Sequence, residues 1–172
     1  TTEIFTRSLV GSGRCVYETG AGVVKQVGPN VTQVREGDSV VYCGIPGSYA
    51  EQAIVPADRL IKIPQGLDSK ASAAAMLQGM TAHYLCHSTY QVKQGDKVLV
   101  HAGAGGVGLL LIQMVKRLGG YVFSTVSTDA KAQLAKDAGA DEVILYTSQD
   151  FAEEVNKSTN GQGGEVVFDA VG

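Results

Sequence analysis

Val98-Leu99-Val100-His101-Ala102-Gly103-Ala104-Gly105-Gly106-Val107-Gly108 is the stretch that decides the fold. An apolar run of strand length enters the spacing Gly103-x-Gly105-x-x-Gly108, and a helix-like stretch from Leu109 to Leu118 leaves it. The spacing alone is a weak signal in a chain of 172 residues with 22 glycines. Its place between a strand and a helix carries the weight, because the chemistry needs that context. Gly103 is expected to permit the tight turn, Gly105 to let the backbone approach a pyrophosphate, and Gly108 to let helix and strand pack closely. The start of the helix then offers unpaired N–H groups and partial positive charge to phosphate oxygens. The competing reading is a glycine-rich bend with no ligand.

Downstream the pattern repeats. Residues Lys97–His101, Tyr121–Thr125, Glu142–Leu145 and Glu165–Phe168 read as strands. Between them Gly106–Leu118, Asp129–Ala138 and Asp150–Ser158 read as helices. Apolar strands alternating with helices make βαβ units and a parallel sheet. Upstream, residues 21–64 carry short β-branched runs between turns such as Gly28-Pro29-Asn30, Glu36-Gly37-Asp38 and Pro56-Ala57-Asp58, the pattern of a small barrel or sandwich. Between the two lie helices, one starting at a Ser69 cap and expected to break at Gly79, the next running from about Thr81 to Tyr90. The expected organisation is therefore α/β: a partial β-barrel over residues 1–66, connecting helices over 67–96, and a Rossmann-type parallel sheet over 97–172 that stops after its fourth strand.

Composition narrows the class. Hydrophobic residues are 44% and charged residues 18%, which excludes a disordered chain. The net charge is −3 with no basic stripe, so nucleic acid is not an expected partner. Cys15, Cys43 and Cys86 lie far apart, with no Cys-x-x-Cys, which argues against a disulfide scaffold or a four-cysteine zinc lobe. No apolar run has membrane-spanning length, and the first residues do not read as a secretory signal. A reducing, cytoplasmic setting is the expectation. His83 and His87, four apart beside Cys86, could share a helix face, but no third metal ligand is placed by the sequence.

The strand after the glycine turn selects the dinucleotide. An acid at its end would bind a ribose 2′-hydroxyl. Here the strand runs into Ser124-Thr125-Val126-Ser127-Thr128, and Lys131 follows. Ser127 and Lys131 supply a hydroxyl and a cation suited to a 2′-phosphate, so NADPH is expected over NADH. The alternative is that Ser127 or Thr128 only caps the next helix while Lys131 stays solvated.

The segments GAGVVKQVG, VREGDSVVY, GSYAEQAIVPADRLIKIP, MLQGMTAHYL, VLVHAGAGGVGLLLIQMVKRLGG and VVFDAVG together resemble the quinone oxidoreductases. These are the zeta-crystallin-like branch of the medium-chain dehydrogenase/reductase superfamily. The resemblance runs from about Gly20 to Gly172. It implies a GroES-like catalytic domain, a Rossmann domain, NADP(H) as cofactor, and reduction of a small-molecule quinone. Carried over by position, it places the cofactor against Ala104, Gly105, Gly106, Val107 and Gly108, with Thr81 near the nicotinamide, Ser127 and Lys131 at the 2′-phosphate, and Tyr146 near the adenosine ribose. Zinc-dependent relatives carry Gly-His-Glu where this chain has Tyr17-Glu18, and a phenol is a poor substitute for a zinc-bound imidazole, so no metal is expected.

The chain departs from the family at both ends. Glu3-Ile4-Phe5-Thr6-Arg7-Ser8 is the nearest match to a family segment whose Asn and Tyr border the nicotinamide; the Asn is absent and Phe5 stands for the Tyr. The later Rossmann strands and the family's dimerisation strand are not in the sequence, which reads as a fragment or a truncation; a homo-oligomer remains open. No catalytic side chain is assigned, since orientation of the cofactor carries most of such chemistry. Tyr42 and Tyr49 are candidate acceptor-facing phenols, with barrel packing as the alternative. Three other readings stand beside quinone reduction. They are 2-alkenal or enone reduction with the same cofactor, NADPH binding without turnover, and RNA binding, which the acidic balance opposes.

Overall fold

The computed structural model describes residues 2–6, as backbone, and 18–169. Two compact units divide the chain, residues 1–77 and 78–172. The division falls inside one helix rather than in a loop.

The first unit is an antiparallel sheet of five strands, β1 (Thr2–Thr6), β2 (Thr19–Val27), β3 (Ser39–Cys43), β4 (Gln52–Val55) and β5 (Ile61–Lys62), in the order β4-β1-β2-β3-β5. Strand β3 runs Val40-Val41-Tyr42, all buried, because both faces of the sheet are covered there. On one face Val24, Val34, Val40, Tyr42 and Val55 cluster; on the other Ala21 and Val41 meet Ala73 of the first helix. Strand β1 was not expected from the sequence. It is held by pairing on both sides, to β2 and to β4.

Helix α1 (Ser69–Tyr84) differs from expectation twice. Its cap is Asp68, whose Oδ2 accepts from the Ala71 amide at 3.0 Å and whose carbonyl accepts from the Ser72 hydroxyl at 2.8 Å. Ser69 is already helical. Gly79 does not break the helix, which continues unbroken to Tyr84 and then widens into a π-turn over Leu85–Thr89. One glycine costs a helix about 1 kcal/mol relative to alanine, too little to end it against tertiary packing.

The second unit alternates β6 (Lys97–Val100), α2 (Gly106–Arg117), β7 (Tyr121–Val126), α3 (Asp129–Asp137), β8 (Glu142–Leu145), α4 (Phe151–Ser158) and β9 (Val166–Phe168). All pairings are parallel, in the order β8-β7-β6-β9. The period-two alternation of β6 separates two layers. Val98 and Val100 join Leu111, Ile112 and Val115 of α2, whereas Leu99 joins Phe123, Ile144 and Val155 of α4. The α/β reading and the partial Rossmann topology therefore hold. Because β7 and β9 flank β6 on opposite sides, the chain reverses its winding direction at β6. A crevice opens there, past the carboxyl ends of the strands.

Candidate functional site

The glycine turn sits at that crevice. Strand β6 runs out through His101, whose amide donates to the Phe168 carbonyl at 3.0 Å, tying β6 to β9. The Gly103 amide donates to Thr125 O at 3.1 Å, tying the turn to β7, and the Gly105 amide closes it on Ala102 O at 2.8 Å. Helix α2 then begins with Gly105 as a cap that offers no side chain, and its first intrahelical bond is Leu109 N to Gly105 O at 2.9 Å. The amides of the first turn are therefore left to an outside acceptor, which suits an anion.

Gly103 does different work from that read in the sequence, whereas Gly105 and Gly108 do the work expected of them. None of the three motif glycines has a positive φ; the left-handed residue of the turn is Ala102, at φ 51°. Gly103 is glycine because Ser124 fills the place a side chain would take. A Cβ on Gly108 would stand 2.6 Å from Ala102 O and 2.7 Å from Gly103 Cα, so this position allows α2 to close on the turn, as expected. A Cβ on Gly105 would meet Ala102 O at 3.1 Å and nothing else of the protein within 4 Å, so its outer side is open for a ligand.

A cavity of about 610 Å³ lies against this turn. Thr81 lines it together with Gly105, Gly106, Val107 and Gly108, and Leu85, Leu111 and Phe168 give it apolar walls. Ala104 is not among the lining residues; it packs into the core beneath α2. Ser127, Lys131 and Tyr146 also lie outside the cavity, further along the same sheet edge. The register Val126↔Leu145 puts Ser127 beside Tyr146, and the Tyr146 amide donates to Val126 O at 3.2 Å. Tyr146 is 54% exposed, so packing is not its occupation. Lys131 reaches back over the first turn of α3, with Nζ donating to Ser127 Oγ at 3.2 Å, while Thr128 caps the helix by accepting from the Lys131 amide at 3.3 Å. Capping thus falls to Thr128 and leaves the Ser127 hydroxyl facing a cation. No carboxylate among the described residues is paired with Lys131.

Sequence reading passed over two groups here. His101 Nδ1 and Thr125 Oγ1 share a hydrogen bond of 2.8 Å, and Phe151 meets the imidazole edge-on at 4.8 Å. Gln78, one helical turn before Thr81, lies against Gly106. Only its spacing from Thr81 could have signalled it.

In the first unit, Tyr42 is fully buried and its hydroxyl has no hydrogen-bond partner among the described residues, so it packs. Tyr49 is 55% exposed. The loop that bears it is held by Glu18, whose Oε2 accepts from the Gly47 amide at 2.7 Å, the Ser48 amide at 2.7 Å and the Ser48 hydroxyl at 2.9 Å. The Ser48 amide and then the Ser48 hydroxyl hold the Glu18 carboxyl below its ordinary value, desolvation opposes them, and the Gly47 amide adds the smallest part. Cys86 is buried, with its thiol 3.0 Å from His87 Nδ1, and burial pushes that thiol up. The His83 and His87 rings stack at 4.1 Å, and no cluster of three metal-ligating residues occurs among the described residues. Tyr17 and Cys15, and the side chain of Phe5, lie outside the described residues. No helix among the described residues is long and apolar enough to cross a membrane.

Comparison with known proteins agrees with both units. The profile of the alcohol dehydrogenase GroES-like domain matches residues 16–65, and that of the zinc-binding dehydrogenases matches residues 106–172. A 2-haloacrylate reductase of a Burkholderia species is 46% identical over 155 residues, which is 88% of this chain and 46% of that protein. A quinone oxidoreductase of Pseudomonas aeruginosa is 42% identical over 154 residues, 89% of this chain and 47% of that protein. Among solved structures, Escherichia coli quinone oxidoreductase in complex with NADPH superposes with a TM-score of 0.85 at 39% identity, over 90% of this chain and 48% of that one. A mycobacterial protein in complex with NADPH gives 0.83 at 48% identity, over 90% and 49%. The chain spans about half the length of the relatives it matches. With a GroES-like half, a Rossmann half and relatives of this kind along most of its length, the chain belongs to the medium-chain dehydrogenase/reductase superfamily, on the side of the quinone oxidoreductases.

Proposed function

We propose that this chain is the NADPH-holding part of a zinc-independent reductase of quinones. The observation that carries the reading is the uncapped start of α2 over an open Gly105, with Ser127 and Lys131 held together further along the same sheet edge. The residues fit the cofactor. The first-turn amides of α2 receive the pyrophosphate, Gly105 keeps a side chain out of its way, and Gly108 lets the helix start close against the turn. Lys131 and Ser127 neutralise and bond the 2′-phosphate, Tyr146 flanks the adenosine ribose, and Thr81 borders the nicotinamide end. Bound there, NADPH supplies the hydride or electron that the acceptor takes up. What the chain contributes is orientation and exclusion of water by the apolar walls of Leu85, Leu111 and Phe168, the kind of work proximity catalysis requires. The acidic balance and the cysteine usage support a small-molecule partner and a cytoplasmic setting.

A second reading is supported by the 46% identity to a 2-haloacrylate reductase. Haloacrylates, like quinones, are electron-poor conjugated acceptors, and the same cofactor and cleft would serve reduction of a C=C bond. Loss of NADPH absorbance with a panel of quinones, against the same assay with 2-chloroacrylate, separates the two. The cofactor assignment has its own test. Lys131→Ala should weaken NADPH about tenfold while leaving NADH unchanged, because only NADPH carries a 2′-phosphate for the ammonium to pair with. Equal losses for both cofactors would refute the assignment.

A further inference from the structure

We propose that Gln78 is a cofactor-contacting residue: its side-chain amide, laid against Gly106 at the start of α2, donates to the pyrophosphate of the bound dinucleotide. This rests on the NADPH reading above and adds a residue that neither the glycine spacing nor the family resemblance assigns.

Residues 102–108 read Ala-Gly-Ala-Gly-Gly-Val-Gly, so the turn has no side-chain donor of its own. Any side chain that bonds a phosphate there must arrive from another element. Gly106 marks where one arrives. It is not one of the three glycines of the spacing, and it has no positive φ to demand a glycine. A Cβ on it would stand 3.2 Å from Gln78 Cγ and 3.3 Å from Gln78 Nε2. The position is kept bare by the glutamine that covers it. Gln78, Thr81 and Leu85 follow one another at i, i+3 and i+7, a single helical stripe, and the last two line the cavity with Gly105–Gly108. Gln78 is half-buried, and its amide makes no hydrogen bond among the described residues. A half-buried amide with free donors beside uncommitted helix amides is placed to complete an anion's shell. It is neutral, so it adds a directed donor next to the helix amides, while the nearby cation, Lys131, serves the other end of the cofactor.

The test is a charge series at position 78 in the full 172-residue chain, with NADPH and adenosine 2′-monophosphate titrated at several salt concentrations. The second ligand carries the 2′-phosphate and lacks the pyrophosphate. Gln78→Glu should weaken NADPH tenfold or more. Gln78→Met, similar in length and without donors, should weaken it about three- to tenfold. Gln78→Lys should match or exceed the parent and steepen the salt dependence. Adenosine 2′-monophosphate should bind all four proteins alike. Glu, Met and Lys are all good helix formers, and the Met and Lys variants decide the matter even if the Glu variant does not fold. Parallel losses for Glu and Lys, or NADPH affinities unchanged across the series, would overturn the proposal and leave the NADPH reading standing. A parent chain that binds no NADPH would overturn both.

Discussion

Gly103 and Ser124 occupy one place between them. The Ser124 hydroxyl is buried without a partner among the described residues and sits where a Gly103 side chain would go; a Cβ there would also stand 3.1 Å from Ser124 Cβ and 3.2 Å from Ile112 Cδ1. Gly103→Ala should therefore cost about 1–3 kcal/mol by overpacking. Ser124→Ala alone should be close to neutral, since it removes a buried hydroxyl that bonds nothing. In the double variant much of the first loss should return, giving a coupling of about 1 kcal/mol or more in a urea-unfolding cycle. Additive losses would show that the two side chains do not compete. The pair also marks how far single residues were legible. The glycine spacing identified the turn, yet assigned Gly103 a backbone role that belongs to no glycine: the left-handed residue is Ala102. Which glycine answers a φ requirement and which answers a neighbour 21 positions along the chain depends on a strand pairing that local spacing does not encode. The same holds for Gln78 at Gly106, whereas Ser127 and Lys131, four apart at a helix start, were readable because their meeting is local.

Helix α1 shows the same division between elements. Ala71, Ala73, Ala74 and Ala75 foretold a helix, and Gly79 was expected to end it. The helix passes through, with nothing within 4 Å of the place a Gly79 side chain would take. Gly79→Ala should then stabilise the protein by about 0.5–1 kcal/mol, because alanine lowers the entropy cost of the helix and meets no obstacle. A raised thermal midpoint by circular dichroism is the expected result; a lowered one would mean that the helix needs its glycine. The Rossmann elements were legible almost residue by residue because the strands are mostly apolar runs and two of the helices, α3 and α4, carry side-chain caps at Thr128 and Asp150. Strand β1 was not, because its sequence, Thr-Glu-Ile-Phe-Thr, is too short to show a period, and its pairing partners lie 15 or more residues away. The π-turn at Leu85–Thr89 likewise leaves no trace in a pattern whose period is 3.6.

For the whole molecule the decisive feature is the edge of the parallel sheet. Strand β9 pairs with β6 on one side and with no strand on the other among the described residues. It is three residues long, and Val167, its middle residue, is 53% exposed. Natural edge strands are blunted by charge, proline, bulges or a covering element, and Val166-Val167-Phe168 has none of the first two. Among the described residues no strand takes up the outer backbone groups of β9, and groups of that kind can pair with those of a second copy. The chain alone should therefore self-associate as its concentration rises, read by sedimentation velocity or by light scattering on a sizing column. Val167→Lys places a charge on that edge and should shift the population toward monomer. Association that is unchanged in the lysine variant would move the contact elsewhere on the surface. A parent chain that stays monomeric at every concentration would show that β9 is protected.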